Sequence, residues 1–178
     1  MIEKVLDNYA PAVSIYAGLE REGTALLDSS MQGPLGRRSY ICMVPCRTYG
    51  PDDGDAASIL DSRPAEGIMA GYISYDHGLE MHGMNSRHPP SDIPSFILTD
   101  YDILLTDDPK SGRLTALCLG KVLPDTEELA MVETAVSRAM EPAVPEGRTW
   151  TVVDDTPRGN FEKAVQEARR MMRDGEFY

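Results

Sequence analysis

The strongest constraint on the fold is a hairpin pattern between residues 95 and 120. The segments SFILTDYDILLTD and RLTALCLG are both rich in apolar and strand-favouring residues, and the turn DPKSG between them supplies the Asp-Pro and Ser-Gly pairs that hairpin loops need. Two strands joined by so short a turn run antiparallel. The sequence therefore predicts an antiparallel or mixed β-sheet.

The remaining strands are predicted in five further segments. IEKVL opens the chain as a short strand, TALLDSS has the pattern of a buried strand, and RRSYICMVP predicts a strand that Pro45 stops. GIMAGYISYD is apolar on both faces, which is typical of a central strand and not of an edge. RTWTVVDD predicts either one more strand or an extended linker.

Short helices are predicted between these strands. Pro11 suits an early helical position, and the inward face of this helix is assigned to Val13, Ala17 and Leu19. A short helix or turn is predicted in DDGDAASILDS. The residues from His77 to Pro94 show no period, so we expect a long loop there with room for one helical turn.

Two longer helices are predicted towards the end of the chain. Thr126 is placed to cap the first, whose helically spaced apolar residues are Leu129, Val132, Val136 and Met140. Pro142 and Pro145 end it. The second runs from Asn160 to a stop at Gly175, with the apolar stripe Phe161, Ala164, Val165, Ala168 and Met171. Because strands and short helices follow each other irregularly, the predicted fold class is α+β and not a doubly wound sheet.

Charge and length narrow the classes of partner and compartment. The 178 residues fit one domain of ordinary size, and their formal net charge of -12 repels phosphate and anionic lipid, so we expect no nucleic acid and no membrane as partner. The bases Arg169, Arg170 and Arg173 suit the negative end of a helix dipole. No apolar run approaches the roughly 20 residues of a transmembrane helix, and the start of the chain lacks a signal-peptide pattern. We therefore predict a cytoplasmic protein.

Residue chemistry alone predicts no catalytic residue. GPLG precedes a strand instead of opening a helix, so it does not match a phosphate-binding loop. The irregular spacing of His77, His82 and His88 favours solvated or packed histidines over metal ligands, and neither Ser39 nor Ser74 lies in a nucleophile elbow. Carboxylate pairs are expected to be solvated surface groups in a chain this acidic. The three cysteines, an odd number, predict reduced thiols and no disulfide framework.

Four segments in order resemble the N-terminal domain of anthranilate synthase component I. ALLDSS is similar to the family's Leu-Leu-Glu-Ser strand, and GRRSYICMVP to its Gly-Arg-Tyr-Ser-Phe-Ile-Gly strand, with Arg38 at the aromatic position. From Gly71 to Asp76 the chain matches the Gly-Tyr-x-Ser-Tyr-Asp part of a third strand. NFEKAVQEARRMMRDGEFY resembles the helix that opens the chorismate-binding domain. Aminodeoxychorismate synthase component I is the close relative of this family.

The resemblance implies a domain organisation. Residues 1–155 would form the regulatory N-terminal domain, and residues 156–178 the first helix of a chorismate-binding domain whose remainder lies beyond this sequence. The catalytic groups and the magnesium ligands of the family belong to that remainder, so no cofactor is expected in this chain and its own activity is left open. The implied partners are the chorismate-binding domain and a glutamine amidotransferase subunit.

The resemblance also implies a tryptophan feedback site. Asp28 and Ser29 would face the polar end of the amino acid, while Arg37 and Ser39 line or brace the same site. A carboxylate accepts from an ammonium group and a hydroxyl donates to a carboxylate, both as charge-assisted bonds. Asp28 is one methylene shorter than the family's glutamate, and the family's Pro-Tyr-Met segment is absent. We therefore expect tryptophan to be at most a weak ligand of this chain alone.

Several alternatives stay open. Asp28, Ser29, Arg37 and Ser39 are also interpretable as strand-end polar groups that satisfy one another. The residues Tyr72, Ser74, Tyr75 and Asp76 are expected to serve core and sheet-edge packing rather than ligand contacts. The chain is interpretable as an aminodeoxychorismate synthase fragment of the folate pathway, or as a stand-alone ligand-binding module. Exposed apolar surface would favour a homo-oligomer in that last case.

Overall fold

The structure is a computed structural model, which describes residues 1–19, 22–29, 33, 36–64, 66–84, 92–139, 151 and 157–176. The chain divides into two compact units, Met1–Ala143 and Val144–Tyr178. The domain boundary that the sequence places after residue 155 stays a prediction. The predictions made for Met140, Pro142, Pro145, His88 and most of RTWTVVDD lie outside the described residues.

The described part of the first unit contains one six-stranded antiparallel sheet. Its strands are β1 (Ile2–Val5), β2 (Ala25–Leu27), β3 (Ser39–Tyr49), β4 (Ile68–Ile73), β5 (Phe96–Asp108) and β6 (Arg113–Cys118). The strand order is β1-β6-β5-β3-β2, and β4 pairs with β5 outside this path. The predicted α+β class and the hairpin between β5 and β6 are confirmed, and of the two predicted sheet types, antiparallel or mixed, the described sheet is antiparallel.

The long strand β5 organises the sheet. Along one edge it pairs with β3, and along the other its first half pairs with β4 and its second half with β6. The expectation that GIMAGYISYD is a central strand is therefore wrong. Ile68, at the start of β4, is buried, but residues 71–73 are exposed and no second strand in the described part of the chain pairs with β4. An apolar run does not by itself distinguish a central strand from an edge strand that carries exposed apolar side chains.

Strand β3 does not end at Pro45. Its register against β5 shifts between Pro45 and Arg47, and Val44 has a φ of 56°. A proline lacks the N–H that a regular ladder requires, but a β-bulge lets the strand continue past it. Likewise, TALLDSS forms only the three-residue strand β2, which pairs with β3 alone among the described strands and leaves Leu27 49% exposed, so the predicted burial is wrong.

The helices of the first unit pack against the sheet in separate clusters. The helices of the first unit are α1 (Ala12–Ala17), α2 (Ala56–Asp61), α3 (Tyr75–Met81) and α4 (Asp125–Ser137), with a 3-10 turn at Pro51–Asp53. The main core joins α1 and α4 to inward residues of β3, β5 and β6, among them Ile41, Ile103 and Cys118. A smaller cluster holds α2 against Phe96 and Leu98 at the start of β5.

The inward face of α1 differs from the prediction. Ala12 and Ile15 are buried, whereas Val13 is 37% exposed. Leu19, which follows the helix, packs against the main core as predicted. Its amino end is anchored by tertiary contact, because the Ala12 N–H donates to Oδ2 of the buried Asp107 on β5 at 2.9 Å. Contacts of this kind lie outside the helix's own sequence, which explains why its pattern alone misplaced Val13.

Two other helices depart from their predicted starts. α3 begins at Tyr75, inside the predicted strand GIMAGYISYD, and continues through His77 to Met81, where the sequence leaves room for one helical turn. α4 begins at Asp125 directly after Pro124, and Thr126 lies inside its first turn without capping it. Val132 and Val136 are buried as the helical spacing predicts. The α2 prediction is confirmed, and the Asp55 side chain caps it by accepting from the Ser58 N–H.

The third motif of the resemblance lies at and beyond the exposed end of β4. Tyr72 lies at the sheet edge, as expected, and its hydroxyl donates to the Pro94 carbonyl at 3.1 Å. Tyr75 is 87% exposed at the start of α3, so its predicted packing role is wrong.

The second unit contains α5 (Arg158–Arg173). The predicted stop at Gly175 is confirmed: this residue has a φ of 75°, and its N–H and that of Glu176 donate to the carbonyls of Met172 and Met171. This pair of bonds is the Schellman motif, which favours glycine at the position of positive φ. No helix in the described ranges has the length and apolar character needed to cross a bilayer.

Candidate functional site

Strands β2 and β3 bring three of the four predicted ligand-binding residues together. Leu27 pairs with Tyr40, so Asp28 and Ser39 follow as the next neighbours across the ladder. The Ser39 hydroxyl donates to Asp28 Oδ1 at 2.9 Å, and the Ser29 N–H donates to Ser39 Oγ at 3.0 Å. Ser39 is 2% exposed, while Asp28 is exposed. The group is therefore a buried hydroxyl that holds a carboxylate at the protein surface.

Arg37 does not join this group. It is exposed just before β3, and no ion pair links it to another residue of the described ranges. The adjacent Arg38 lies nearer to a carboxylate, with Nε 4.0 Å from Asp108 Oδ2. Arg37, the predicted cation of the site, thus lies next to the strand that carries Ser39, but the structure does not place it beside Asp28.

The hydrogen bonds define what Asp28 can do chemically. A carboxylate has about four acceptor positions, so one bond from Ser39 leaves capacity for an ammonium or amide donor. The same bonds are what mutually satisfied strand-end groups would make. Both interpretations that the sequence left open are compatible with this geometry.

We expect Ser39→Ala to lower the free energy of unfolding by about 1–2 kcal/mol, because it removes the donor to Asp28 and the acceptor for the Ser29 N–H. Urea denaturation of the purified chain measures this change. Ser137→Ala is the matched control: its hydroxyl bonds the Thr134 carbonyl on an exposed face of α4, so its effect should stay within about 0.5 kcal/mol. Equal effects of the two variants would contradict a structural role of Ser39.

One face of the sheet carries an apolar cavity of about 520 Å³. Its wall is formed by Leu27, Tyr40, Cys42, Ile68, Leu104 and Leu117, and the carboxylates Glu3 and Glu66 also line it. Side chains alternate along a strand, so Leu27 and Tyr40 face this cavity while Asp28 and Ser39 face the other way. The cavity is thus separate from the candidate site.

A second groove, of about 730 Å³, lies between α1, the bulge of β3 and α4. Met43, Val44, Pro45 and Met131 contribute to its wall, and Arg138 is one of the charged residues that line it. Val44 is a β-branched residue with positive φ, which is a strained conformation for such a side chain. The bulge that carries this strain therefore forms part of the wall of the groove.

The expectation that carboxylates are solvated surface groups is wrong for three residues. Asp102, Asp107 and Glu128 are buried, although we expected carboxylates to be solvated. Asp107 follows Ile103 and Leu105 at the two-residue spacing of the inward face of β5, and Glu128 lies one helical turn before the buried Val132. These two spacings could have identified the buried carboxylates from the sequence, since a polar residue at an inward position of a regular pattern is expected to be buried with partners.

Histidines and cysteines do not form a site in the described part of the chain. His77 is buried, its ring meets Phe96 edge to face with centroids 5.3 Å apart, and Nε2 lies 3.6 Å from Asp55 Oδ1. His82 is exposed. The three cysteines are free, and burial raises the pKa of both Cys42 and Cys118 to about 11. Within the described ranges no cluster of three or more His, Cys, Asp or Glu residues is arranged to hold a metal ion.

Comparison of the sequence with models of known protein families gave no match, and comparison with curated proteins gave none either.

Proposed function

We propose that this chain is the N-terminal regulatory and structural domain of an anthranilate synthase component I-like protein, which uses chorismate in tryptophan biosynthesis. The observation that carries the proposal joins two of its motifs: Asp28 and Ser29 of the first hydrogen-bond to Ser39 of the second. The resemblance selects these residues on sequence alone. Their meeting on neighbouring strands supports one shared site.

A second observation supports a domain that packs on another protein surface. The end of β4 and the start of α3 expose Ile73 and Tyr75 of the third motif, which line one cavity together with Met81. Tyr72 is exposed as well, but the alternation of side chains along β4 turns it to the opposite face. Met81, at the end of α3, is 60% exposed as well. Contiguous exposed apolar side chains mark interaction surfaces. In this proposal the surface is covered by the chorismate-binding domain, which also supplies the magnesium site and the catalytic groups.

In this proposal the feedback site works by differential binding. The ammonium of tryptophan pairs with Asp28, which Ser39 holds in place, and the remaining walls come from the second domain. Tryptophan inhibits only if it binds one packing of the two domains better than the other, because equal affinity shifts no population. The glutamine amidotransferase subunit is the further expected partner.

Complementation tests the proposed function. The purified chain is mixed with a chorismate-binding domain expressed without its own N-terminal domain, and product formation from chorismate and ammonia is followed. We expect anthranilate to form only when both are present. Aminodeoxychorismate as the product would assign the chain to the folate branch. Two well-folded partners that form no complex and no product would contradict the proposal.

We expect L-tryptophan to bind the isolated chain weakly, with a Kd above about 1 mM, or about -4 kcal/mol. The physical reason is that Asp28 is exposed and Arg37 does not lie beside it, so the chain alone offers part of a site. Calorimetric titration measures this, with Asp28→Asn as the matched variant. Micromolar binding that Asp28→Asn abolishes would instead show a self-sufficient sensor, which favours the stand-alone ligand-binding module.

A further inference from the structure

Two carboxylates are buried side by side at the connection between β6 and α4. Asp102 on β5 and Glu128 on α4 have no solvent-exposed surface. Asp102 Oδ2 accepts the N–H groups of Lys121 and Val122 at 2.8 and 2.6 Å, and Glu128 Oε2 accepts that of Gly120 at 3.0 Å. The two side chains therefore hold three consecutive amides of the connection.

The other oxygen of each group lacks a donor. Asp102 Oδ1 and Glu128 Oε1 are buried without a hydrogen-bond partner among the described residues. Two carboxylates cannot donate to each other, and burying two uncompensated charges together is costly. A carboxyl group can donate to a neighbouring carboxylate, which satisfies both oxygens with a single proton.

We propose that Asp102 and Glu128 share one proton in the folded chain. We call the connection from Leu119 to Pro124, which the two carboxylates hold through its amides, the clip; the shared proton makes the stability of this clip depend on pH. The proton resides on Glu128, whose O–H donates to Asp102 Oδ1. When the clip opens, both groups become hydrated and the proton is released to solvent. The inference does not depend on the proposed function.

The environment of the pair supports this assignment. Burial, and then the hydrogen bond to Asp102, raise the pKa of the Glu128 carboxyl from 4.5 to about 7. The thiols of Cys46 on β3 and Cys118 on β6 interact electrostatically with both carboxylates. The other charged groups that act on these thiols are Asp125 on α4, Lys121 in the connection, Arg63 after α2 and the ammonium of Met1. Burial raises the pKa of both thiols, so they stay neutral below pH 8, and the Met1 ammonium is paired with Asp125 at 3.0 Å.

The sign of the pH effect follows from linkage. The closed clip binds a proton up to about pH 7, whereas the opened Glu128 releases it near its ordinary value of 4.5. The clip is therefore most stable below pH 4.5, and its stability is lost as pH rises towards 7. We expect the amide-exchange protection of Lys121 and Val122 to fall about 40-fold between pH 5 and pH 7, and to level off above about pH 8.

Amide exchange on two variants tests the proposal. Glu128→Gln places an uncharged group at the same position: its amide donates to Asp102 Oδ1 and its oxygen accepts from Gly120. We expect protection in this variant to change less than about threefold over the same range, after correction for intrinsic exchange. Glu127→Gln, at the exposed neighbouring position, is the control and should keep the wild-type slope. The Met1 ammonium is common to all three proteins.

Two results would overturn the proposal: wild-type protection that does not change between pH 5 and 7, or a Glu128→Gln variant that keeps the wild-type slope. If Glu128→Gln fails to fold, Asp102→Asn provides the same test, because its amide can donate to Glu128 while its oxygen keeps the bonds to Lys121 and Val122. An infrared spectrum of the wild type supplies an independent readout. A protonated buried carboxyl band at pH 6 that disappears by pH 9 is expected, and its absence at pH 6 would contradict a shared proton.

Discussion

The Gly71→Ala variant is expected to lose about 3 kcal/mol or more of its free energy of unfolding, with β4 detaching from β5. A Cβ at this position would lie 1.9 Å from the Ile97 carbonyl oxygen and 2.9 Å from the Leu98 Cα. Both obstacles are backbone atoms of the paired strand, so no side chain can rotate away to make room. The measurement is urea denaturation of the purified chain, combined with amide exchange of β4 to locate the loss.

Gly78→Ala is the matched control for Gly71→Ala. Gly78 lies within α3, and a Cβ there would meet no atom within 4 Å. Alanine is the better helix former by up to about 1 kcal/mol, so this variant should be as stable as the wild type or slightly more so. A Gly71→Ala protein of unchanged stability would show that β4 is not paired with β5 in the described register.

Phe96→Ala is expected to cost about 3–5 kcal/mol, since it removes a large side chain that is only 1% exposed and leaves a cavity. Phe96 fills the cluster that joins Ala56 and Ile59 of α2 to the start of β5, and its ring also meets His77 of α3. Both short helices should therefore lose amide protection together with the sheet end. Chemical denaturation gives the size of the effect, and amide exchange gives its location.

Tyr75→Ala is the control for Phe96→Ala. It truncates an aromatic ring of similar size in the same region, but this ring is 87% exposed, so the expected change stays within about 0.5 kcal/mol. A large loss from Tyr75→Ala would mean that its ring is covered in solution. Small losses from both variants would contradict the packing of α2 on β5.

The first of these predictions gives a structural role to a segment that the resemblance selected for another reason. Gly71 belongs to the third motif, and its absent side chain is what allows the backbones of β4 and β5 to approach. Tyr72 and Tyr75 of the same motif are accessible instead. A motif in one sequence can thus combine a residue needed for folding with neighbours free to contact a partner.

Part of the candidate site could be predicted from the sequence. The motifs selected Asp28, Ser29 and Ser39, and the pairing of β2 with β3 joins them. The same motifs selected Arg37, which lies outside this group. The buried pair of Asp102 and Glu128 was missed, because its members are far apart in sequence and overall acidity suggested solvated carboxylates.

The sequence by itself determined the elements whose signal is local. The alternation and turn chemistry of the β5–β6 hairpin, the spacing of Val132 and Val136, and the stop at Gly175 depend on residues a few positions apart. Only the tertiary structure decided which strand is central, which face of α1 is buried and why β3 continues past Pro45. These outcomes depend on β5, which pairs with β3, β4 and β6 and supplies Asp107 to the amino end of α1. Whether a side chain is buried depends on which distant element packs against it, whereas a local sequence pattern shows only that the side chain is suited to burial.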